Sequence, residues 1–467
     1  MTLSGLELAK AKMSNAGVHP AAIDSFEYFY GLLRDNQDGF ISETEISPLQ
    51  EVTQLKQIAS DEVNTEALAK TVVIKLNGGL GTSMGMQKAK SLLPVRGEDT
   101  FLDLIAKQVI ESRKTHQVSL PLIFMNSFRT QADTLEKLAN YPQLAVGDLP
   151  LDFLQNKEPK LTEEDLKPVA WPKDSDLEWC PPGHGDLYPA LVASGVLEKL
   201  LEAGYKYAFV SNTDNLGAVA SPQVATWFAN SGASFGMEVA RRTPADKKGG
   251  HLVVRNRDGR VVLRESAQVS QHDSEAATDI EKHRFFNTNS LWFELEALNN
   301  NLQKNGGVIP LPLIKNIKTV DPSDKTTPKV IQIESAMGAA IEVFEETAVL
   351  EVDRSRFLPV KTTNDLLLLR SDIYELSADF QLQAVKPEPN IDLDSEHYSR
   401  ISDFEELFKS GVPSLEQAQS LKIQGRWKFE SGVKVTGAGF LPKPEKGQEQ
   451  LVPAGATITE AGVLNQN

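Results

Sequence analysis

An α/β fold, with a helical amino-terminal part and a β-rich carboxy-terminal unit, is predicted by three features of the sequence. From Thr71 to about Ser377, apolar runs rich in β-branched residues alternate with helical patterns, as when the strands of one sheet are connected by helices. Residues 1 to about 70 instead carry apolar positions at helical spacing. Beyond the proline- and charge-rich segment Val385-Lys-Pro-Glu-Pro-Asn390, short apolar runs recur between glycines, the pattern of a small β-solenoid or sandwich. A chain of 467 residues exceeds the size at which one core keeps growing, so more than one packed unit is expected. The boundaries fall near residues 70 and 385, giving parts 1–70, 71–385 and 386–467.

In the first part, Leu3, Leu6 and Leu8, then Phe26, Phe29, Leu32 and Leu33, mark helices. The segment from Arg34 to Glu45 imitates a calcium loop, with Asn36, Asp38, Gly39, Ile41 and Glu45 in register. Its first ligand position is an arginine, which sets a repelling cation where a carboxylate is needed, so a solvated turn is expected there. Residues 1–20 mix Glu7 with Lys10 and Lys12 and resemble neither a signal nor a transit peptide. No apolar run has the length of a membrane span. A cytoplasmic protein is the resulting expectation.

Composition narrows the partners. Forty-eight basic against 64 acidic residues give a net charge of −16, which opposes nucleic acid or an anionic membrane as a partner. Any phosphate site must then be a local basic pocket. The single cysteine, Cys180, permits no internal disulfide and suits a reducing compartment, and the seven histidines show no paired ligand spacing.

The clearest strands of the middle part are Val72 to Leu76, Leu120 to Met125, Tyr207 to Ser211, Phe235 to Val239 and Val330 to Ile333. Ligands of open α/β sheets collect at the carboxyl ends of strands, so the segments that follow these runs are the ones to search. After the first comes Leu76-Asn-Gly-Gly-Leu-Gly-Thr-Ser-Met-Gly85, then Lys88 and Lys90. Its glycines 78, 79, 81 and 85 let backbone N–H groups face anionic oxygens, and the lysines add full charge. The spacing matches neither the dinucleotide fingerprint nor a P-loop, so on spacing alone phosphate binding and a plain turn both stand.

Further along, Pro181-Pro-Gly-His-Gly-Asp186 exposes one imidazole on a rigid turn, suited to a phosphate oxygen or to a structural role. Val210-Ser-Asn-Thr-Asp-Asn215 ends a strand with Asp214 between asparagines. Such a carboxylate suits magnesium bridged to phosphates, and equally an Asx turn. Lys247-Lys-Gly-Gly250 and Phe286-Asn-Thr-Asn289 offer backbone and amide groups that both donate and accept, as sugar hydroxyls require; Asn289 is counted among them. Glu334 closes the apolar run from Val330. Three cations fall between Arg354 and Lys361, and Lys361, following Phe-Leu-Pro-Val, is expected to be held rather than free in solvent.

Taken together, LNGGLGTSMG from Leu76, QNKEPK from Gln155, PPGHGD, VSNTDN, FNTN, IESAMGAAI from Ile333 and SRFLPVK from Ser355 closely resemble the UTP:glucose-1-phosphate uridylyltransferases over nearly the whole chain. The resemblance implies a glycosyltransferase-A-like nucleotide-binding mixed sheet, a smaller amino-terminal part and a carboxy-terminal left-handed β-helix. It implies conversion of UTP and glucose 1-phosphate to UDP-glucose and pyrophosphate, with Mg2+ as cofactor. It also implies that Leu76, Gly78, Gly79, Met125, Gln155 and Gly185 surround the uracil, and that Lys90 and His184 meet the phosphates. Asp214 would meet the magnesium and Lys361 the reacting phosphates, while Asn212, Gly250, Asn287 and Glu334 would bind glucose. One departure is Ala89, where many members have proline, which puts only loop rigidity in question. A broader UDP-sugar pyrophosphorylase would share the uridine half of the site. A non-catalytic UDP-sugar-binding protein would be expected to lack Lys90, Asp214 or Lys361. The short polar tail after Gly462 suggests a monomer or weak dimer through the carboxy-terminal unit.

Overall fold

The computed structural model describes residues 3–35, 39–58, 64–243, 246, 249–445 and 450–464. Its centre is a mixed sheet of eleven strands. Along the main path Thr53–Gln54 pairs with Thr347–Val352, then follow Phe235–Arg241, Phe285–Glu294, Tyr207–Asn212, Thr71–Asn77, Leu122–Asn126 and Asp152–Leu154. The strand Phe285–Glu294 is antiparallel to both neighbours, and the other pairings on this path are parallel.

The run Val72-Val-Ile74 is buried throughout because both faces of the sheet are covered, which is why its strand reads as continuously apolar. Alternation still sorts the side chains. Val72 and Ile74 join Ala208, Val210 and the helices Gly5–Asn15, Pro20–Arg34 and Val196–Glu202, while Val73 joins Phe209, Trp292 and the helix Phe101–His116. The first helix starts at a reciprocal capping box between Ser4 and Glu7, the second at Pro20, both favourable openings for a helix.

The expected strands all form, with one change of partner and one of boundary. Lys329–Glu334 pairs with Ile314–Thr319 and Leu161–Thr162 in a separate three-stranded sheet, since an apolar run specifies a strand but not its neighbour. Leu120 has a positive φ of 32° and the strand starts at Leu122. The amino-terminal part is more than helical: Ile46–Pro48 pairs with His251–Arg255, and Thr53–Gln54 is the edge strand. The calcium-like segment is also not simply a solvated turn. Positions 36–38 lie outside the described residues, but Glu43 is held by Arg264 at 2.5 Å, Lys282 at 2.7 Å and His283 at 2.9 Å.

In the last part Asn390–Leu393, Ser414–Ile423, Lys434–Leu441 and Thr457–Thr459 lie side by side in parallel, and Trp427–Phe429 pairs in parallel with Gln450–Val452. The parallel pairing of these strands removes the antiparallel sandwich, and the short helices Ser395–Tyr398 and Ile401–Leu407 occupy the first connection. Leu421, Phe429, Val435 and Ile458 of this stack share one continuous apolar cluster with Leu104, Val360 and Leu367. Among the described residues no helix is long and apolar enough to cross a membrane.

Candidate active site

A cavity of about 310 Å³ opens at the carboxyl ends of the central strands, lined by Leu76, Gly78, Gly79, Lys90, Met125, Gln155, Pro181, Gly183, His184, Asn212, Thr213 and Asp214. Parallel pairing sets Leu76 beside both Met125 and Asn212, so three strand ends deliver their side chains to one rim. The glycine loop folds back on itself, with the Lys90 amide donating to the Gly79 carbonyl at 3.1 Å and Ser127 Oγ donating to the Gly78 carbonyl at 3.0 Å. Ala89 has φ −53°, close to the angle that proline would impose. Ala89 therefore holds a backbone angle that proline would also accept.

Lys90 is the basic centre of the cavity. Its ammonium lies 2.6 Å from Asp214 Oδ2 and also donates to the Val360 carbonyl. The exposed Lys88 does not line the cavity. Asp214 is two residues beyond its strand, and its carboxylate takes Lys90 rather than closing a turn. Asn215 forms the Asx turn instead, its Oδ1 accepting from the Gly217 amide at 3.2 Å and the Leu358 amide at 2.9 Å. Among the described residues no group of three or more His, Cys, Asp or Glu could enclose a metal. A lone carboxylate on a cavity wall suits magnesium only where substrate phosphates and water complete the shell.

The turn 181–185 is clamped by the chain after Glu334. Gly183 has φ +77°, and a Cβ there would lie 2.6 Å from the Ser335 carbonyl. Only glycine satisfies both conditions. The Gly185 amide donates to the Ser335 carbonyl at 2.9 Å, and Gln155 Nε2 donates to the Gly183 carbonyl at 3.0 Å. His184 Nδ1 accepts from the Met337 amide at 3.0 Å, so the ring proton resides on Nε2. Burial pushes this imidazole down to about 4, and it is neutral at physiological pH. The unfolded chain then takes up a proton that the fold resists, so stability falls as pH drops from about 6.5 toward 4. Melting curves should show the stability advantage of wild type over His184→Gln shrinking across that window; a constant difference would contradict the neutral imidazole.

A second cluster adjoins the first. The Asn287 amide donates to the Gly250 carbonyl at 2.9 Å, and Asn287 and Asn289 exchange two bonds, at 3.0 and 2.8 Å. Asn289 has φ 57°, and the ladder slips a register between Glu238 and Val239 opposite this segment. Bulges of this kind re-aim side chains beside functional clefts. Glu265 packs so closely that a Cβ on Gly250 would lie 2.7 Å from its carboxylate. Burial raises the Glu265 carboxyl, opposed by the Asn287 hydrogen bond and the charge of Lys361. Lys361 is exposed, contrary to its expected confinement, but its ammonium rests 5.6 Å from the Phe286 ring centre. Two residues before it, Pro359 bridges to Asn215.

Gly250, Asn287, Asn289, Glu334, Gly185 and Lys361 thus lie beside the cavity rather than on its lining, whereas Asn212 lies on it. The segment after Glu334 joins the two clusters: a Cβ on Gly183 would lie 3.1 Å from the Glu334 Cβ, and one on Gly338 would lie 3.3 Å from Asn287 Nδ2. Burial raises the Glu334 carboxyl, with the Asn316 hydrogen bond and Lys318 opposing. Lys247 and Lys248 lie outside the described residues. Thr213, Gly183 and Glu265 were missed by sequence reasoning. Thr213 and Gly183 stood within motifs already singled out, and Glu265 had no signal beyond an acid ending an apolar run.

A family model for UTP--glucose-1-phosphate uridylyltransferase matches residues 23–436. Among curated relatives, the UTP--glucose-1-phosphate uridylyltransferase of Encephalitozoon cuniculi is 36% identical over 95% of this chain and 87% of its own. That of Hordeum vulgare is 39% identical over 84% and 81%. The UDP-glucose pyrophosphorylase of Leishmania major, solved as a mutant in complex with UDP-glucose, superposes with a TM-score of 0.92 at 41% identity, covering 98% of this chain and 99% of that one. A Trypanosoma brucei structure described as a UDP-glucose phosphorylase gives 0.90 at 41% identity, over 97% and 99%. With its motifs gathered around one cavity, the chain belongs to the UTP--glucose-1-phosphate uridylyltransferase family.

Proposed function

We propose that this protein converts UTP and glucose 1-phosphate into UDP-glucose and pyrophosphate, reversibly, at the cavity between the glycine loop and the 181–185 turn. The convergence of Lys90, Asp214, His184 and the loop backbone in one apolar-floored cavity carries the reading. Leu76 and Met125 pack against the uracil ring, with Gly78, Gly79 and Gly185 close to its edge. Because the Gln155 amide nitrogen is engaged by Gly183, its oxygen is left to accept from the base. Neutral His184 donates from Nε2 to a phosphate oxygen.

A phosphate oxygen of glucose 1-phosphate attacks the α-phosphorus of UTP in line. The new oxygen–phosphorus bond forms as the bond to the pyrophosphate oxygen breaks. The attacking oxygen is already anionic, so no side chain need remove a proton, and positioning and charge compensation supply the catalysis. Lys90 and Lys361 offset the repulsion between the approaching phosphates, each contributing on the order of a few kcal/mol at a partly screened site. Asp214 would hold magnesium together with the substrate phosphates, and the ion would add further neutralisation there. Asp214 and Lys90 pair at 2.6 Å, so incoming phosphate and magnesium would each compete for one member of the pair. Asn212, Gly250, Asn287, Asn289 and Glu334 bind the glucose hydroxyls.

The division into residues 1–70, 71–385 and 386–467 accompanies this reading, with the last part a left-handed β-helix that carries none of the phosphate or sugar motifs, although its Arg400 packs near Gly85 of the glycine loop. We place the protein in the cytoplasm, consistent with its single buried thiol. It works as a monomer or weak dimer through the last part, a state that light scattering reads directly.

The test is pyrophosphate release with a panel of sugar 1-phosphates. Glucose 1-phosphate should be preferred, and Glu334→Gln and Asn289→Ala should each lower the preference over galactose 1-phosphate by roughly tenfold, as loss of a buried hydroxyl partner does. Equal rates across the panel would favour a broad UDP-sugar enzyme, and unchanged selectivity in both variants would move the sugar site elsewhere.

A further inference from the structure

Lys75 lies in the middle of the central strand Thr71–Asn77, is 2% exposed, and has no carboxylate within ion-pair distance among the described residues. A lysine so placed is costly unless its donors are used. Its ammonium donates to Ser211 Oγ and to the Ala218 carbonyl, both at 2.8 Å, and lies 5.9 Å from the Phe209 ring centre. These two acceptors bracket residues 212–217, the turn that carries Asn212, Thr213 and Asp214 to the cavity.

The same turn grips the loop that bears Lys361. The Val360 amide donates to the Asp214 carbonyl at 3.1 Å, and Asn215 Nδ2 donates to the Arg356 carbonyl at 3.2 Å. Arg356 in turn pairs at 2.7 Å with Glu238, which is fully buried, and donates to the Val219 carbonyl at 2.9 Å. Lys75 thus stands close to the buried Arg356–Glu238 pair. Burial pushes Lys75 down to about 7, Arg356 acts in the same direction, and Glu238 and Asp214 oppose both. The sequence offered no reason to separate this lysine from an ordinary strand residue, and it does not line the cavity.

We propose that Lys75 is a positioning residue for uridylyl transfer: by tying Ser211 to the Ala218 carbonyl beneath the sheet's end, it fixes the Asp214 turn and, through the Val360 amide, the approach of Lys361. This rests on the assignment of Asp214 to the metal.

UTP affinity measured by calorimetry with magnesium and with EDTA separates positioning from bulk stability. In Lys75→Met, which keeps the length and removes the donors, UTP affinity in EDTA should stay within about twofold of wild type. The strengthening of UTP binding by magnesium should fall at least threefold and kcat about tenfold, as expected for a displaced ligand. Asp214→Asn is the control. If it loses the magnesium effect while folded Lys75→Met retains it, the inference is overturned and the site reading survives. If Asp214→Asn itself retains the effect, the metal assignment falls and the inference falls with it. Should Lys75→Met fail to fold, Ser211→Ala, which removes one anchor only, decides in the same assay: a reduced magnesium effect supports the proposal, and an unchanged one overturns it.

Discussion

Replacing Lys361 by alanine is expected to lower kcat about a hundredfold or more while leaving the melting temperature close to that of wild type. The side chain is exposed, with its ammonium over the face of Phe286, and among the described residues it makes no ion pair. The backbone around it is held independently. The amides of Lys361 and Thr362 both donate to Asp365 Oδ2 at 2.8 Å, and Val360 is tied to Asp214. Truncation therefore removes a charge without moving its support. That charge matters most when two phosphates meet, so the loss should fall on kcat more than on KM for either substrate. Steady-state pyrophosphate release measures it, and near-normal turnover in a folded variant would refute the role.

Lys90→Met should be still more damaging, with kcat/KM for UTP down roughly a thousandfold and UTP affinity itself weakened. Unlike Lys361, Lys90 lines the cavity and is bonded to Asp214 and to the Val360 carbonyl. Its removal takes a cation from the cavity lining and leaves the Asp214 carboxylate there without its 2.6 Å partner. It also removes one of the bonds that hold the loop carrying Lys361, the one to the Val360 carbonyl. Calorimetry with UTP and turnover on the same preparation distinguish the outcomes. If UTP affinity and kcat/KM stay near wild type, Lys90 is only the structural partner of Asp214.

The two lysines illustrate how far the sequence could be read. Both lysines stood out locally, Lys90 together with Lys88 after a glycine-rich strand end and Lys361 after an apolar run, and the family resemblance singled out Lys90 and gave each its expected role. Their states were not legible. Lys361 was expected to be confined and is exposed over an aromatic face, while Lys90 is already engaged by the carboxylate expected to hold magnesium. The Asx turn assigned as an alternative for Asp214 belongs to Asn215, one residue on.

Local chemistry by itself determined the strands, the turns and the residue types at their ends, because backbone preference and side-chain alternation act within a few positions. It therefore sufficed for the α/β class, the basic glycine loop and the motifs that carry the family resemblance. The tertiary structure alone decided which strand ends meet, that Lys329–Glu334 leaves the central sheet, that residues 46–54 enter it, and that Glu265 and Lys75 stand behind the site. Those outcomes depend on hydrogen bonds and contacts between groups such as Lys75 and Ser211 or Asn215 and Arg356, more than a hundred residues apart in the chain. Packing, rather than any nearby sequence pattern, brings them together.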